Sequence, residues 1–258
     1  MGFGLIIVGD EILSGRRQDK HFSKLVELLG ARGLQLNWAE IVGDDPARLT
    51  ASLRRSFAGE DIVFSCGGIG ATPDDHTRQC AAAALGLPLA LHPEGRLNIE
   101  ERIRETAGLD ADMNAPENQQ RLKIAEFPQG ASLIPNPYNR IAGFTVARHH
   151  FVPGFPVMAW PMIEWVLDTH YAHLFHATVH LECSLLVYEQ GEADLTPLME
   201  ALERDYPGLR VFSLPSVGDA ETRRHIELGV KGDAAQVEPA FLAMQAELRR
   251  RGAEFQAL

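Results

Sequence analysis

The sequence predicts an α/β protein: a three-layer sandwich with a mostly parallel sheet, followed by a smaller C-terminal α+β lobe. Three observations carry this expectation. Apolar runs suited to strands (Leu5–Val8, Leu34–Val42, Asp61–Ser65) alternate with helical periodicity, the pattern of right-handed crossovers that cover a parallel sheet on both faces. Leu5–Val8 is continuously apolar, as expected of a strand buried on both sides. From about His176 the order becomes β-α-β-β-α, the signature of a small lobe of ferredoxin-like character. The expected domains are therefore residues 1–175 and 176–258.

Taken in order, Leu5–Val8 is the first strand, and Gly9-Asp10-Glu11 ends it. From Asp19 to Gly30, Phe22, Leu25, Val26, Leu28 and Leu29 recur at helical spacing, and Gly30 and Gly33 close that helix. After the second strand, Asp44-Asp45-Pro46 reads as a helix start, with an acid as cap and proline in the first turn; the helix runs to about Phe57. The third strand enters the glycine turn Gly67-Gly68-Ile69-Gly70, which leads through Thr72-Pro73-Asp74-Asp75 into a helix over about 76–85. A short strand at Leu87–Leu91 and a helix over Pro93–Ala107 follow. Gly108–Gln120 is polar without helical period and reads as a loop. Short strands are expected at Ser132–Pro137, Phe144–Ala147 and His150–Val152. Pro153-Gly154-Phe155-Pro156 is a rigid corner opening a helix over Val157–His173, whose apolar face carries Met158, Trp160, Ile163, Trp165 and Val166. In the lobe, strands are expected at Leu181–Val187, Leu209–Ser213 and Arg224–Val230, and helices at Leu195–Leu202 and Ala234–Arg251.

Composition narrows the function. The 258 residues are 45% hydrophobic and 23% charged, enough for a sizeable core. A net charge of −11 argues against binding nucleic acid, although a local basic pocket for one nucleotide is compatible with it. The three cysteines, Cys66, Cys80 and Cys183, are widely spaced and suit a reducing cytoplasm. The N-terminus reads as a first strand, not a signal peptide, and no apolar run approaches the roughly 20 residues of a membrane helix.

Ligands of open α/β sheets sit beyond the carboxyl ends of the strands. Asp10-Glu11, Asp44-Asp45 and the 67–75 segment all follow strands and so share that edge. A strand, a glycine turn and a helix start make an anion site, because glycine lets the backbone approach a phosphate and the helix start offers N–H groups. Such a turn also serves purely structural roles, and residues 67–70 match neither a Gly-Lys-Ser/Thr phosphate loop nor a dinucleotide fingerprint. Thr72 suits a helix cap, and one acid would suffice beside the positive helix end; the second of Asp74-Asp75 leaves room for metal binding or general-base chemistry. Asp44-Asp45 resembles a plain helix cap more closely than a site. Asp10-Glu11 at a strand end needs a partner, which Ser14-Gly15-Arg16-Arg17 can supply by salt-bridging, or Arg16 there can meet a phosphate instead. His170 and His173 share a helical face, but no cysteine or carboxylate completes a zinc set. His180-Leu181-Glu182-Cys183 lacks the later Pro-Cys-x-x-Cys of zinc deaminases, and Cys66 has no readable histidine–acid partner for nucleophilic chemistry.

Taken together, the motifs Gly9-Asp10-Glu11-Ile12-Leu13-Ser14-Gly15, Val42-Gly43-Asp44-Asp45, Gly67-Gly68-Ile69-Gly70-Ala71-Thr72-Pro73-Asp74-Asp75-His76-Thr77 and Pro153-Gly154-Phe155-Pro156, in this order, resemble the amino-terminal domain of the CinA family, in the molybdopterin-binding (MoaB/MogA-like) superfamily. The resemblance covers about residues 5–170 and extends more weakly through Gly191-Glu192 and Phe212-Ser213-Leu214-Pro215. It implies a glycine loop that holds the phosphate of a pterin or nucleotide, and acids with metal or catalytic roles. Carried over, the phosphate-binding loop falls on Gly67, Gly68 and Gly70, with Thr72 and Ser14 beside it as further phosphate candidates, metal binding on Asp10, Glu11, Asp44, Asp74 and Asp75, and catalysis on Asp74, Asp75 and Asp10; Arg140, in a segment that departs from the family, is a further phosphate candidate. The implied cofactor is a divalent metal, Mg or Co, with molybdopterin as a ligand, the implied partners are a small nucleotide or pterin and further copies of the chain, and the implied reaction is pyrophosphate hydrolysis of an ADP-ribose-like nucleotide; a non-catalytic molybdopterin or nucleotide binder is the alternative. Two departures stand out. Ala71 replaces the proline usual after the glycines, and Asn139-Arg140-Ile141-Ala142-Gly143-Phe144 replaces the family's Gly-Thr-Ala-Pro-Gly-Phe. The sequence given ends before the amidohydrolase domain of full-length CinA, so nicotinamide-nucleotide deamidation is not expected.

Overall fold

A computed structural model describes residues 2–177, 180–218 and 222–258. It divides into two compact units, Met1–Phe175 and His176–Leu258. The first begins with β1 (Phe3–Val8), the one-turn α1 (Asp10–Leu13), α2 (His21–Gly30), β2 (Leu36–Val42), α3 (Pro46–Phe57), β3 (Ile62–Cys66) and α4 (Thr77–Leu85). It continues through β4 (Leu89–Leu91), α5 (Pro93–Ala107), α6 (Pro116–Leu122), β5 (Glu126–Pro128), β6 (Ser132–Ile134), β7 (Gly143–Val146), β8 (His149–Val152) and α7 (Pro156–His170).

The main sheet has the order β2-β1-β3-β8-β7-β6. β2, β1, β3 and β8 run parallel, and β7 is antiparallel to both its neighbours. The two-residue period of a strand sends alternate side chains to opposite faces. Leu5, Ile7, Ile62 and Phe64 therefore pack with Leu25 and Leu29 of α2 and with Met162, Ile163 and Val166 of α7. Ile6, Val8 and Val63 pack on the other face with Leu49 and Leu53 of α3 and with Cys80 and Ala81 of α4. These two cores, one on each side of one sheet, are the three layers expected.

Local chemistry sets the helix ends. Asp45 caps α3 by accepting the Arg48 N–H at 2.8 Å, with Pro46 in the first turn, as expected. Asp19 accepts the N–H groups of His21 and Phe22, both at 2.9 Å, so the chain enters α2 two residues later than periodicity alone suggests.

Four readings change. Residues 116–122, within and just beyond the expected loop, form α6: Pro116 starts it, and its buried face offers Leu122 together with Asn118, whose amide donates to the Asp112 carbonyl at 2.8 Å. A buried asparagine in place of a second apolar residue removes the period that would have revealed the helix. β4 begins at Leu89 and not at Leu87, and it pairs in a separate two-stranded sheet with β5, a strand not expected from the sequence. α4 starts at Thr77, so Thr72 does not cap it. In α7 the fully buried positions are Ala159, Met162, Ile163, Val166 and Leu167, while Met158, Trp160 and Trp165 are only partly covered.

The second unit contains β9 (His180–Tyr188), α8 (Glu192–Asp205), β10 (Arg210–Ser216), β11 (His225–Asp233), α9 (Ala234–Arg250) and β12 (Phe255–Ala257). Its antiparallel sheet has the order β10-β11-β9-β12 and packs Leu185, Leu228 and Val230 against Leu198 of α8 and Met244 of α9. β12, three residues with two of them exposed, completes the β-α-β-β-α-β order of a ferredoxin-like lobe.

Candidate functional site

Along the carboxyl edge of the main sheet, the chain leaving β1, β2, β3 and β8 lines one cleft of about 400 Å³. Gly9 and Glu11 follow β1, Asp44 follows β2, the loop from Gly67 to Thr72 follows β3, and Pro153–Phe155 follow β8. This is the crevice where open α/β sheets hold their ligands.

The glycine loop is fixed from behind through its carbonyls. Thr77 donates its hydroxyl to the Gly67 carbonyl and its N–H to the Gly68 carbonyl, each at 3.0 Å. Arg78 donates to the Gly70 carbonyl at 2.6 Å and, with another guanidinium nitrogen, to the Lys123 carbonyl just after α6. Gly67 (φ 112) packs so closely on β1 that a Cβ would collide with the Val8 carbonyl oxygen, and Gly68 (φ 67) holds a left-handed conformation that a side chain resists. With the carbonyls engaged, the N–H groups of Gly68, Ile69 and Gly70 have no acceptor among the described residues. Unpaired N–H groups in succession on a turn are an anion-binding nest.

Glu11, Asp44, Asp74 and Asp75 line the same cleft, but in different states. Asp75 is committed to the loop: one of its carboxylate oxygens accepts the Thr72 N–H at 2.9 Å and the Thr72 hydroxyl at 2.5 Å. Thr72 thus donates to an acid three residues ahead. Asp10 and Asp44 bind each other's backbone, Asp10 N–H to Asp44 Oδ2 at 2.9 Å and Asp44 N–H to Asp10 Oδ1 at 3.2 Å, which ties the ends of β1 and β2 together. Burial pushes the Asp44 carboxyl above its usual range; the Asp10 N–H opposes that, and the charges of Asp10, Glu11 and Asp74 reinforce it. Among the described residues no three His, Cys, Asp or Glu side chains gather closely enough to cage a metal ion by themselves. The donor set instead suits an ion such as Mg²⁺ that takes one or two carboxylates and completes its shell with phosphate and water.

Three nominated residues stand apart. Asp10, a candidate for both metal binding and catalysis, is spent on the Asp44 backbone and is not part of the cleft wall. Ser14 is exposed at the end of α1 and is not part of the cleft wall. Arg140 (φ 63) carries its guanidinium to Glu101 and Glu105 of α5, 3.0 Å from each, and also does not line the cleft. Its neighbours do: Asn139 accepts from the Asn136 amide at 2.8 Å and from the Ile141 N–H at 3.0 Å, so two asparagines set the shape of the 136–141 wall.

Residues missed from sequence include Arg17, Arg78, Asn136 and Asn139. Arg17 is the cation that reaches the cleft where Arg16 was the candidate; the one-turn α1 decides which of two adjacent arginines faces it. Arg78 gave no signal, since an arginine in the first turn of a helix is ordinarily exposed, yet it is 3% exposed here.

The fold is an α/β sandwich whose carboxyl-edge cleft brings unpaired loop N–H groups and acids together. A family model described as probable molybdopterin binding domain matches residues 4–173, and the chain belongs to that family. A CinA-like protein of Anaeromyxobacter sp. (strain Fw109-5) is 34% identical over 203 residues, 76% of this chain and 48% of that protein. Similarity to a CinA-like protein of Gloeobacter violaceus extends through the second unit, at 26% identity over 95% of this chain and 56% of that protein. The chain spans about half the length of the curated relatives it matches. Among solved structures, the protein CinA with unknown function from Thermoplasma acidophilum aligns with a TM-score of 0.55 and 27% identity, over 65% of this chain and 96% of that one. No helix among the described residues is long and apolar enough to cross a membrane.

Proposed function

We propose that the cleft binds the phosphate of a pterin or nucleotide on the 67–70 loop and hydrolyses a nucleotide diphosphate with the help of a divalent cation. The observation that carries this reading is the meeting of an unpaired N–H nest with the carboxylates of Glu11, Asp44 and Asp74 in one cleft. Acids beside an anion site repel the ligand unless a cation intervenes. One or two of Asp44, Glu11 and Asp74 would hold that ion, Mg or Co, with phosphate and water completing its shell; when bound it would offset phosphate charge and activate water. The chain's own contribution is to orient the diphosphate on the loop and to keep Asp75 locked on Thr72, so that the loop does not collapse into the cleft. Asp10, outside the cleft wall, acts only through the backbone of Asp44.

Purified protein is expected to release AMP from ADP-ribose only when Mg²⁺ or Co²⁺ is present, and Asp44→Asn is expected to lose most of that activity while still melting as a folded protein. No turnover across a panel of nucleotide diphosphates and metals would defeat the hydrolytic reading. The altered 139–144 segment, part of which lines the cleft, favours a second reading, a non-catalytic binder of molybdopterin or a nucleotide. Thermal stabilisation by ligand without turnover would distinguish it. The same reading places the protein in the cytoplasm, in keeping with its free cysteines, as a homo-oligomer built on the exposed Phe155 and Val157 at the start of α7. Light scattering of the purified chain tests the assembly.

A further inference from the structure

The chain between β4 and β5 is built as an arm on a fixed base. At the base, β4 pairs with β5, the Phe127 ring stacks on Phe144 of β7 with centroids 5.0 Å apart, and the His92 N–H donates to the Ala125 carbonyl at 2.8 Å. Gly95, in the first turn of α5, lies so close to Ala125 and Phe127 that a Cβ would press on both. Arg78 of α4 adds its bond to the Lys123 carbonyl. Beyond this base, α5 and α6 hold each other through a small core of Ile99, Ile103, Leu122 and Ala125, separate from the two cores that flank the main sheet. A part with its own small core on a packed base can swing without disturbing the sheet.

The outer arm meets both walls of the glycine-loop cleft through exposed polar contacts. On one side the Gln120 amide of α6 donates to the carbonyl of Ala71, a cleft residue, at 3.3 Å. On the other, Arg140 sits between the cleft residues Asn139 and Ile141 and places one guanidinium nitrogen 3.0 Å from both Glu101 and Glu105, which lie one turn apart on α5. The backbone sets up this reach: Arg140 has φ 63, which a long side chain resists, and its N–H is held by the Asn136 carbonyl at 2.9 Å. The charges of α5 are shared out to match. Glu100 is taken by Arg96 and Arg104, and Arg102 uses the other oxygen of Glu105, which leaves Glu101 and one side of Glu105 to Arg140. Arg140 stands where the family has an uncharged threonine, so these ion pairs belong to this chain and not to the fold.

We propose that Arg140 with Glu101 and Glu105 forms a salt-sensitive clasp: closed, it pins the α5–α6 arm across the mouth of the cleft, and open, it lets the arm swing on the 123–127 base to admit or release a ligand. The clasp touches no ligand and closes equally over an empty and a filled cleft. It therefore sets the rates of entry and exit and leaves the affinity unchanged, since a contact with no preference between the two states shifts no equilibrium. The clasp is independent of the proposed function; only the binding rates used in its test rest on that reading.

The test uses the full chain with Cys183→Ser, carrying spin labels on Ala58→Cys, at the exposed end of α3, and Leu109→Cys, 86% exposed just beyond α5; Cys66 and Cys80 are buried. Pulsed electron resonance then reads the distance between the labels without any ligand. At low salt one distance is expected to dominate. Salt at about 0.5 M should raise a second population about threefold, the size of effect that exposed ion pairs give. Arg140→Ala should show the raised population already at low salt and no longer respond to salt, and Glu101→Gln combined with Glu105→Gln should match it. All three side chains are exposed, so these variants fold. In stopped flow with ADP-ribose in chelator, where binding is read without hydrolysis, Arg140→Ala should raise the association and dissociation rate constants together, about threefold, with affinity unchanged within twofold. Identical distances in wild type and Arg140→Ala at both salt levels overturn the clasp. So does a variant that changes dissociation alone, which would make Arg140 a ligand contact. If ADP-ribose does not bind, the reading of the glycine-loop cleft falls, and the distance measurement alone decides the clasp.

Discussion

Replacing Arg78 with methionine isolates the device that holds the glycine loop. The guanidinium is 3% exposed and bridges Gly70 to Lys123, so the substitution keeps the aliphatic stem but leaves two carbonyls without their charged donor. Hydrogen bonds to charged groups contribute about 1.5–3 kcal/mol each, which sets a gross loss of roughly 3–6 kcal/mol. Part of that is returned, because burial disfavours the charge, as the lowered Arg78 pKa records. A net destabilisation of about 3 kcal/mol remains, corresponding to a fall in Tm of roughly 6–12 °C for a unit of this size. The assay is urea unfolding followed by tryptophan fluorescence. All three tryptophans, Trp38, Trp160 and Trp165, lie in the first unit, so the signal reports that unit alone. Arg78→Lys, which keeps the charge but cannot span two carbonyls, should fall between wild type and methionine. A loss below about 1 kcal/mol in Arg78→Met would refute the latch, since a guanidinium making these bonds has to be worth more.

Three further outcomes follow from the same geometry. Burial holds His149 down to about 4 and His150 to about 3, the latter helped by the nearby charges of His170 and His149, against an ordinary 6.5. The unfolded chain therefore takes up protons that the folded one refuses. Stability is complete above about pH 6.5 and falls as pH drops towards 3, by on the order of several kcal/mol in total; urea midpoints should already decline between pH 6.5 and 5, and His149→Gln should flatten that slope. Burial raises the thiol pKa of Cys66 and of Cys80, so timed alkylation of native protein should label the half-buried Cys183 first and the other two only on unfolding. Arg140→Ala removes only exposed ion pairs and should cost less than about 1 kcal/mol, with nucleotide affinity unchanged within twofold; a large loss of affinity would place Arg140 in the site after all.

What was legible in the sequence follows the physics of each signal. The continuously apolar Ile62–Phe64 and the Asp45-Pro46 start of α3 announce themselves because burial on two faces and capping leave residue-type signatures at fixed offsets. α6 was hidden because its buried face is half polar, and β12 because three residues are too few to establish an alternation. In the site, the glycines and acids were readable as types, and the strand order placed them on one edge. Which side chains turn into the cleft was not readable. Arg16 and Arg17 are chemically identical neighbours distinguished only by the turn of α1, and Arg140 was diverted by Glu101 and Glu105, which lie about 40 residues away in sequence.

The acids beside the glycine loop separate into two groups once their bonds are counted, and this changes what the cleft demands of a ligand. Asp75 and Asp10 serve the fold: one pins Thr72, and the other splices β1 to β2 through the Asp44 backbone. Both carboxylates are thereby spent on N–H or O–H donors of the chain itself. The burden falls on Asp44, half-buried and facing Asp10, Glu11 and Asp74, where burial and like charges both oppose ionisation. A proton relieves that strain, and so does a cation; an unescorted phosphate aggravates it. The nest therefore favours an anion at the loop while Asp44 disfavours one a few residues away, and the two are reconciled if the anion arrives with its own cation or lies towards Arg17. With its own cation the anion can rest on the loop beside Asp44; without one it is drawn towards Arg17, the cation in the same cleft wall.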